Sequence, residues 1–290
     1  MKIVTHNDRF HADDVCAMVI LRIYFGEKIT EVIRTRDEKI IQSADIVFDV
    51  GHICNPDTNR FDHHQTEGAG KRENGIPYAA CGLVWQKFGK EICGSQEAAN
   101  LLDKKIFQMV DASDNGFALY EYTHEDVREY VLDTICGAFA STWKEEENYD
   151  QAFFEVVDLI EKIIRREIKS AQDKYEAFPF VQKAYQEAED KRLLILDAHY
   201  PWHDALKDAT ELLYVISPSK NQASWRINAI QEPRFVNKKS LPKAWWGLRD
   251  QELEKVSGVK GAMFCHRTGF MGAASSKEAA VALAKIALEL

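Results

Sequence analysis

Short apolar runs alternate with longer helical ones through the first fifty residues, and no other feature restricts the fold as much. Residues 2–5 read as a strand, and residues 6–13 as the loop after it. Residues 15–25 are apolar and long enough for a buried helix, which Gly26 stops. Residues 31–35 read as a second strand, and a short charged helix follows through Ser43. Residues 45–50 carry the continuous apolar run of a fully buried strand. Strand, helix, strand, helix, strand is the pattern of a parallel sheet covered on both faces. Such sheets bind ligands beyond the carboxyl ends of their strands, where His6 and Asp49 fall.

Helices are expected over 78–88, 96–110 and 125–139, and residues 65–76, rich in Gly and charge, read as a mobile surface loop. Phe153, Val156, Val157, Ile160, Ile163, Ile164 and Ile168 recur at helical spacing in a long helix over 149–178, which Pro179 should interrupt. From Arg192 the pattern changes to strands at 193–196, 211–216, 223–230, 261–265 and 270–273, with helices at 251–256 and 277–290. The expected fold is α/β with two lobes: a parallel-sheet domain over 1–178, ending in the long linking helix, and a smaller mixed α/β domain over 190–290.

Apolar residues are 46% and charged residues 29% of the chain, as in a soluble globular protein, and no run approaches the apolar length of a membrane span. Met1 leads straight into structure with no signal-peptide pattern, so a cytoplasmic protein is expected. Cys16, Cys54, Cys81, Cys93, Cys136 and Cys265 form no C-x-x-C pair and read as reduced core residues. A formal charge of −9 argues against a general grip on long nucleic acid. It does not exclude a nucleic-acid enzyme, because carboxylates gathered around bound cations enter that sum.

The densest chemistry lies in Arg60-Phe61-Asp62-His63-His64-Gln65, with a counterpart in His6-Asn7-Asp8-Arg9-Phe10-His11-Ala12-Asp13-Asp14. Carboxylate and imidazole together hold divalent cations. A two-cation hydrolytic site clamps a phosphate and activates water, with its metals roughly 3.5–4 Å apart and bridged by a carboxylate. His6, His11, Asp13, Asp49, His63 and Asp111 supply such a ligand set from four loops, with Asp49 as the bridge. His64 and Asp62 would orient ligands or contact a phosphate oxygen. Singly, each residue has a plainer reading: Asp13 could cap the helix after it, and Asp111 could start a turn. Jointly, clusters at strand ends are hard to explain as independent caps.

In the second half, Lys220, Arg226, Arg234, Lys238, Lys239, Lys243 and Arg249 are interleaved with Trp225, Trp245 and Trp246. Such a stretch suits a groove for single-stranded nucleic acid, and equally a solvated basic loop with core tryptophans. His266-Arg267-Thr268-Gly269 leads to Gly272; arginine binds phosphate and glycine allows close backbone approach, while the alternative is a turn whose glycines serve packing.

Taken in order, His6…His11-Ala12-Asp13, Asp49-Val50-Gly51, Asp62-His63-His64 and Val110-Asp111-Ala112-Ser113-Asp114-Asn115-Gly116 resemble the Asp-His-His (DHH) phosphoesterase superfamily. More closely, with Trp245-Trp246-Gly247-Leu248-Arg249-Asp250 and Phe264-Cys265-His266-Arg267-Thr268-Gly269-Phe270-Met271-Gly272, the chain resembles the melanocyte-proliferating-gene (Myg) exonuclease family, also described as metal-dependent protein hydrolases. That resemblance implies a DHH-type catalytic domain and a DHH-associated substrate domain. It implies two divalent cations, manganese first with magnesium, iron or zinc as alternatives, and 3′-to-5′ hydrolysis of RNA or short single strands of RNA or DNA. Substrate phosphates would be held by Arg226, Arg234, Lys238, His266, Arg267, Gly269 and Gly272. The chain departs from the superfamily pattern at His11, which stands where an Asp is usual in a loop one residue shorter. Imidazole there favours manganese, iron or zinc over magnesium. A small-molecule phosphohydrolase acting on pyrophosphate or a nucleotide is the second reading, and a non-catalytic metal-binding protein the third. Oligomeric state is left open.

Overall fold

The computed structural model describes residues 1–124, 126–233 and 236–290. They form two compact units, Met1–Tyr175 and Glu176–Leu290. The first begins with β1 (Lys2–Thr5), α1 (Ala12–Phe25), β2 (Glu31–Arg34), α2 (Glu38–Gln42), β3 (Ile46–Phe48), β4 (Cys54–Asn55) and β5 (Arg60–Phe61). Its sheet has the order β2-β1-β3-β5-β4. The first four strands of that order are parallel, as expected, and β4 adds an antiparallel edge. With two residues each, β4 and β5 are too short to show a period of their own.

α1 is buried from Ala12 to Leu21, which is why its sequence is apolar all round. It packs with Ile3, Ile46, Phe48 and Phe61 on one face of the sheet, while Val4 and Val47 meet Ile40 and Ile41 of α2 on the other. α3 (Ala80–Cys93) packs into the same core as α1. The helix expected over 96–110 is split into α4 (Gln96–Leu102), a π-helical turn (Asp103–Phe107) and α5 (Gln108–Asp114).

Three further expectations are corrected. Of the helix expected over 125–139, only α6 (Leu132–Ala138) forms, and Glu125 lies outside the described residues. The loop over 65–76 is anchored by the buried side chain of Arg72 and by pairing of Lys71 with Pro77. α7 (Tyr149–Glu187) runs through Pro179 instead of ending there. Proline removes one backbone N–H from a helix, and here buried Ala177 and Val181 on either side hold the turn in the core.

The second unit contains β6 (Leu193–Ile195), β7 (Tyr214–Pro218), β8 (Trp225–Ala229), the small ladder of β9 (Gln231–Glu232) with β10 (Val236–Asn237), α8 (Asp250–Ser257), β11 (Ala262–Cys265), β12 (Met271–Ala274) and α9 (Lys277–Glu289). Its main sheet has the order β11-β12-β8-β7-β6, antiparallel but for β6 and β7. The fold is therefore α/β with two mixed sheets and a long helix between them in the chain. All six cysteines are free thiols, and no helix among the described residues is long and apolar enough to cross a membrane.

Candidate metal centre

Three neighbouring parallel strands end beside one another and deliver the central groups: His6 follows β1, Asp49 follows β3, and Asp62, His63 and His64 follow β5. Asp49 sits at φ 53°, a left-handed conformation that aspartate tolerates better than most residues. The side chain is buried, with Oδ2 3.2 Å from His6 Nε2 and Oδ1 3.4 Å from His63 Nε2. Burial alone would raise its pKa, but the imidazoles of His6 and His63 beside it outweigh burial and hold it at about 2. His6 lies 3.4 Å from Asp14 Oδ2, and His63 lies 3.1 Å from Asp114 Oδ2. Burial opposes the charged form of His63, yet Asp114 and Asp49 push it up to about 11. His6 Nδ1 is 2.8 Å from the Asn7 carbonyl, which can only accept, so that nitrogen carries the proton and Nε2 is the metal-capable atom.

One ligand atom from each member comes within 4.8 Å of the others in four groups: His6, Asp14 and Asp49; Asp49, His63 and His64; Asp13, His63 and Asp114; and Asp13, Cys81 and Asp111. Asp49 belongs to two of them, as a bridging carboxylate would. Asp14 Oδ2, Asp49 Oδ1 and His63 Nε2 are buried without hydrogen-bond partners. Buried polar atoms are costly unless satisfied, and divalent cations in the two groups that share Asp49 would satisfy these three. Carboxylates with imidazole form a donor set for manganese, iron or zinc. On both counts the residues fit a metal centre.

The N-terminus of α3 holds two of the carboxylates. Asp13 accepts from the N–H groups of Ala80 and Cys81 at 3.0 and 2.7 Å, and Asp111 accepts from Gly82 N–H at 3.0 Å. These N–H groups have no partner within their own helix, and the helix end favours negative charge. A Cβ at residue 82 would fall 1.8 Å from Asp111 Oδ2, so only glycine admits that carboxylate. Arg72 Nη1 stands 2.6 Å from Asp111 Oδ2, while its Nη2 and Nε bind Asp103 at 2.7 and 3.0 Å. Burial raises the Asp111 pKa to about 6 even with Arg72 opposing it.

Of the expected ligands, His6, Asp13, Asp49, His63 and Asp111 are brought into overlapping groups. His11 N-caps α1, is exposed and joins none of the groups among the described residues; its ring centroid is 6.1 Å from that of His6. Asp111 does not start a turn; it lies inside α5, committed to Arg72 and α3. Sequence reasoning passed over Asp14 and Asp114, which take the positions beside His6 and His63. The available signals were the adjacency of Asp14 to Asp13 and the i, i+3 spacing of Asp111 and Asp114, which sets both on one side of a helix. Asp62 is buried and saturated, accepting from His52 N–H at 2.6 Å, His64 N–H at 3.1 Å and His64 Nδ1 at 2.7 Å. It fixes the ring of His64, whose side chain is half exposed.

In the second unit, Arg226 on β8 and Arg267 in the turn before β12 are exposed, as is Lys238, whose Nζ donates to the Thr210 carbonyl at 3.0 Å. Gly269 N–H donates to the His266 carbonyl at 2.8 Å, closing that turn. A Cβ on Gly269, at φ 67°, would fall 2.3 Å from Trp246 Nε1, and one on Gly272 3.0 Å from Leu241 Cδ1, so a side chain at either position would crowd its neighbours. Trp245 is buried, and Trp225 and Trp246 pack against the same core. Arg234 lies outside the described residues.

The family model that describes an "Uncharacterised protein family (UPF0160)" under the MYG1 exonuclease label matches residues 2–288. A MYG1 protein of Caenorhabditis elegans is 30% identical over 323 residues, covering 99% of this chain and 94% of its own length. The human protein named MYG1 exonuclease is 29% identical over 325 residues, covering 99% of this chain and 85% of its own. Among solved structures, PggH, a pGpG-specific phosphodiesterase from Vibrio, aligns over 99% of this chain and 98% of its own at 15% identity; a TM-score of 0.32 leaves that likeness without weight.

Proposed function

The chain belongs to the MYG1 exonuclease family, and from that premise we propose that it is a divalent-cation-dependent phosphodiesterase that shortens single-stranded RNA or short single strands from the 3′ end. The observation that carries this reading is the Asp49 carboxylate, set between His6 and Asp14 on one side and His63 on the other, with unsatisfied buried atoms around it. His6, Asp14 and Asp49 would hold one cation, and Asp13, His63 and Asp114 with Asp49 the other. Cations bound there, manganese in the first instance, supply charge to a phosphoryl group and raise the acidity of water. Asp62 holds His64 through Nδ1–H and favours its protonated form, from which Nε2–H would donate to a phosphate or leaving-group oxygen. Asp13 and Asp111 tie α3 to α1 and α5, so the ligands keep their spacing while substrate exchanges. We assign catalysis to a domain over 1–178 and substrate holding to 190–290, with Arg226, Lys238, His266 and Arg267 contributing positive or donor groups.

Digestion of an end-labelled single-stranded RNA oligomer with manganese tests this, with a His63→Ala/Asp49→Asn double variant beside the parent. Stepwise shortening by the parent alone is the expected outcome. No shortening by either chain would overturn the nuclease reading in favour of hydrolysis of pyrophosphate or a nucleotide. Equal shortening by both would remove catalysis from these ligands.

A further inference from the structure

The main sheet of the second unit has one covered face and one that is covered over only part of its width. Strand register sets Ile216, Ile227, Ala229, Gly272, Ala274 and Cys265 on the side packed by α9. The opposite side carries Leu194 and Val215 at the β6–β7 end, buried under Val181, Leu196, Trp202, Leu206 and Leu212. That cover stops at β7. Over β8, β12 and β11 the same side presents Arg226, Asn228, Met271, Ala273 and Phe264, which register places together. Arg226 is exposed and the other four are partly exposed.

The chemistry of this open area is specific. The Arg249 guanidinium sits over the Phe264 ring, 4.5 Å from its centroid, and the His266 ring meets it edge-on at 6.3 Å. β8, β11 and β12 contain no acidic residue, in a chain whose formal charge is −9. An open sheet face with a ring, a stacked guanidinium and a second arginine is how several RNA-binding modules hold unpaired bases: rings and guanidinium planes stack on them, and cations track the backbone. The alternatives fit less well. A protein partner would meet isolated cations with a small apolar area, and a duplex offers no free base faces.

We propose that the open face over β8, β12 and β11 is a stacking platform for the bases of a single-stranded substrate, with Phe264 and Arg249 as the stack and Arg226 on the phosphates. This rests on the nuclease reading above and adds a second contact region to it. It also differs from the groove suggested by the tryptophan-rich stretch, since Trp225, Trp245 and Trp246 belong to the core on the α9 side.

The test is fluorescence anisotropy of a labelled single-stranded RNA oligomer with the full chain, in chelator so that nothing is hydrolysed. Phe264→Ala should weaken binding on the order of 10-fold, the scale of one lost base stack. Arg226→Gln should lower the slope of log affinity against log salt by about 0.7, one phosphate contact on a single strand. Arg249→Gln should weaken binding in the same direction, whereas Lys183→Gln, an equal charge change on α7, should leave affinity and slope as in the parent. Parent-like binding by Phe264→Ala, Arg226→Gln and Arg249→Gln together would overturn the platform while leaving the nuclease reading intact. No binding by a parent chain that still shortens RNA would overturn the platform alone, and a parent that neither binds nor shortens RNA would overturn both.

Discussion

Asp111 and Asp114 stand one turn apart on α5 and have opposite tasks. Asp111 is the counter-ion of buried Arg72, whereas Asp114 faces His63 and Asp13. Asp111→Asn should therefore cost about 1–3 kcal/mol of stability, since it takes the carboxylate from Arg72 Nη1 while Asp103 still pairs Nη2 and Nε. Asp114→Asn removes both a repelling carboxylate and the partner 3.1 Å from His63, so in chelator it should cost less stability than Asp111→Asn, while weakening manganese binding at least ~10-fold. Urea denaturation and manganese titration read the two effects separately, and the reverse pattern would make Asp111 the ligand. The sequence shows that aspartates are gathered here, because the residue types are visible in the chain. It does not show which one points at the cations, because that depends on where Arg72, a charge in an apparent surface loop, places its guanidinium. His11 is the converse case: it lies in the right motif, but as the N-cap of α1 it remains at the surface.

Among the elements, α7 carries the plainest local conflict. Pro179 is exposed within a helix that continues to Glu187, so it removes a backbone hydrogen bond with no side-chain burial of its own in return. Pro179→Ala should raise the urea midpoint by an amount equivalent to about 1–3 kcal/mol. A neutral or lower midpoint would show that the turn needs the fixed proline geometry. Proline is a reasonable stop signal in a sequence, and here long-range packing of Val181 with Leu194 and Val215 overrides it. The same limit explains β4 and β5, whose pairing is long-range and whose two residues each carry no pattern. β1, α1, β2 and β3 were legible because each is long or apolar enough to announce itself, and the sites at their carboxyl ends followed.

At the scale of the whole chain, the proposed cations would compete with protons for the same carboxylates. Burial raises the Asp14 pKa to about 7, against a partly compensating attraction from His6, and it raises Asp13 well above the ordinary carboxylate range. An unfolded aspartate titrates near ~3.9. Between about pH 4 and pH 7 the folded chain therefore holds protons that the unfolded chain has lost, and these groups make stability fall as pH rises. Asp49 runs the other way: held at about 2, it contributes stability above ~pH 4 that is lost as pH falls towards 2. His63, held at about 11, contributes stability below ~pH 6.5 that is lost as pH rises towards 11. Asp14→Asn isolates the first effect. In chelator the variant and parent should unfold at similar temperatures at pH 4, and the variant should be the more stable by pH 7, on the order of 4 kcal/mol. Manganese should narrow that gap at pH 7, because a cation at about 100 times its dissociation constant stabilises the parent by roughly 2.7 kcal/mol and the variant by less. Thermal unfolding of both chains at the two pH values, with and without manganese, measures all of this. A gap that does not change with pH would mean that Asp14 ionises normally in the fold. A gap that manganese does not narrow would remove Asp14 from the cation site.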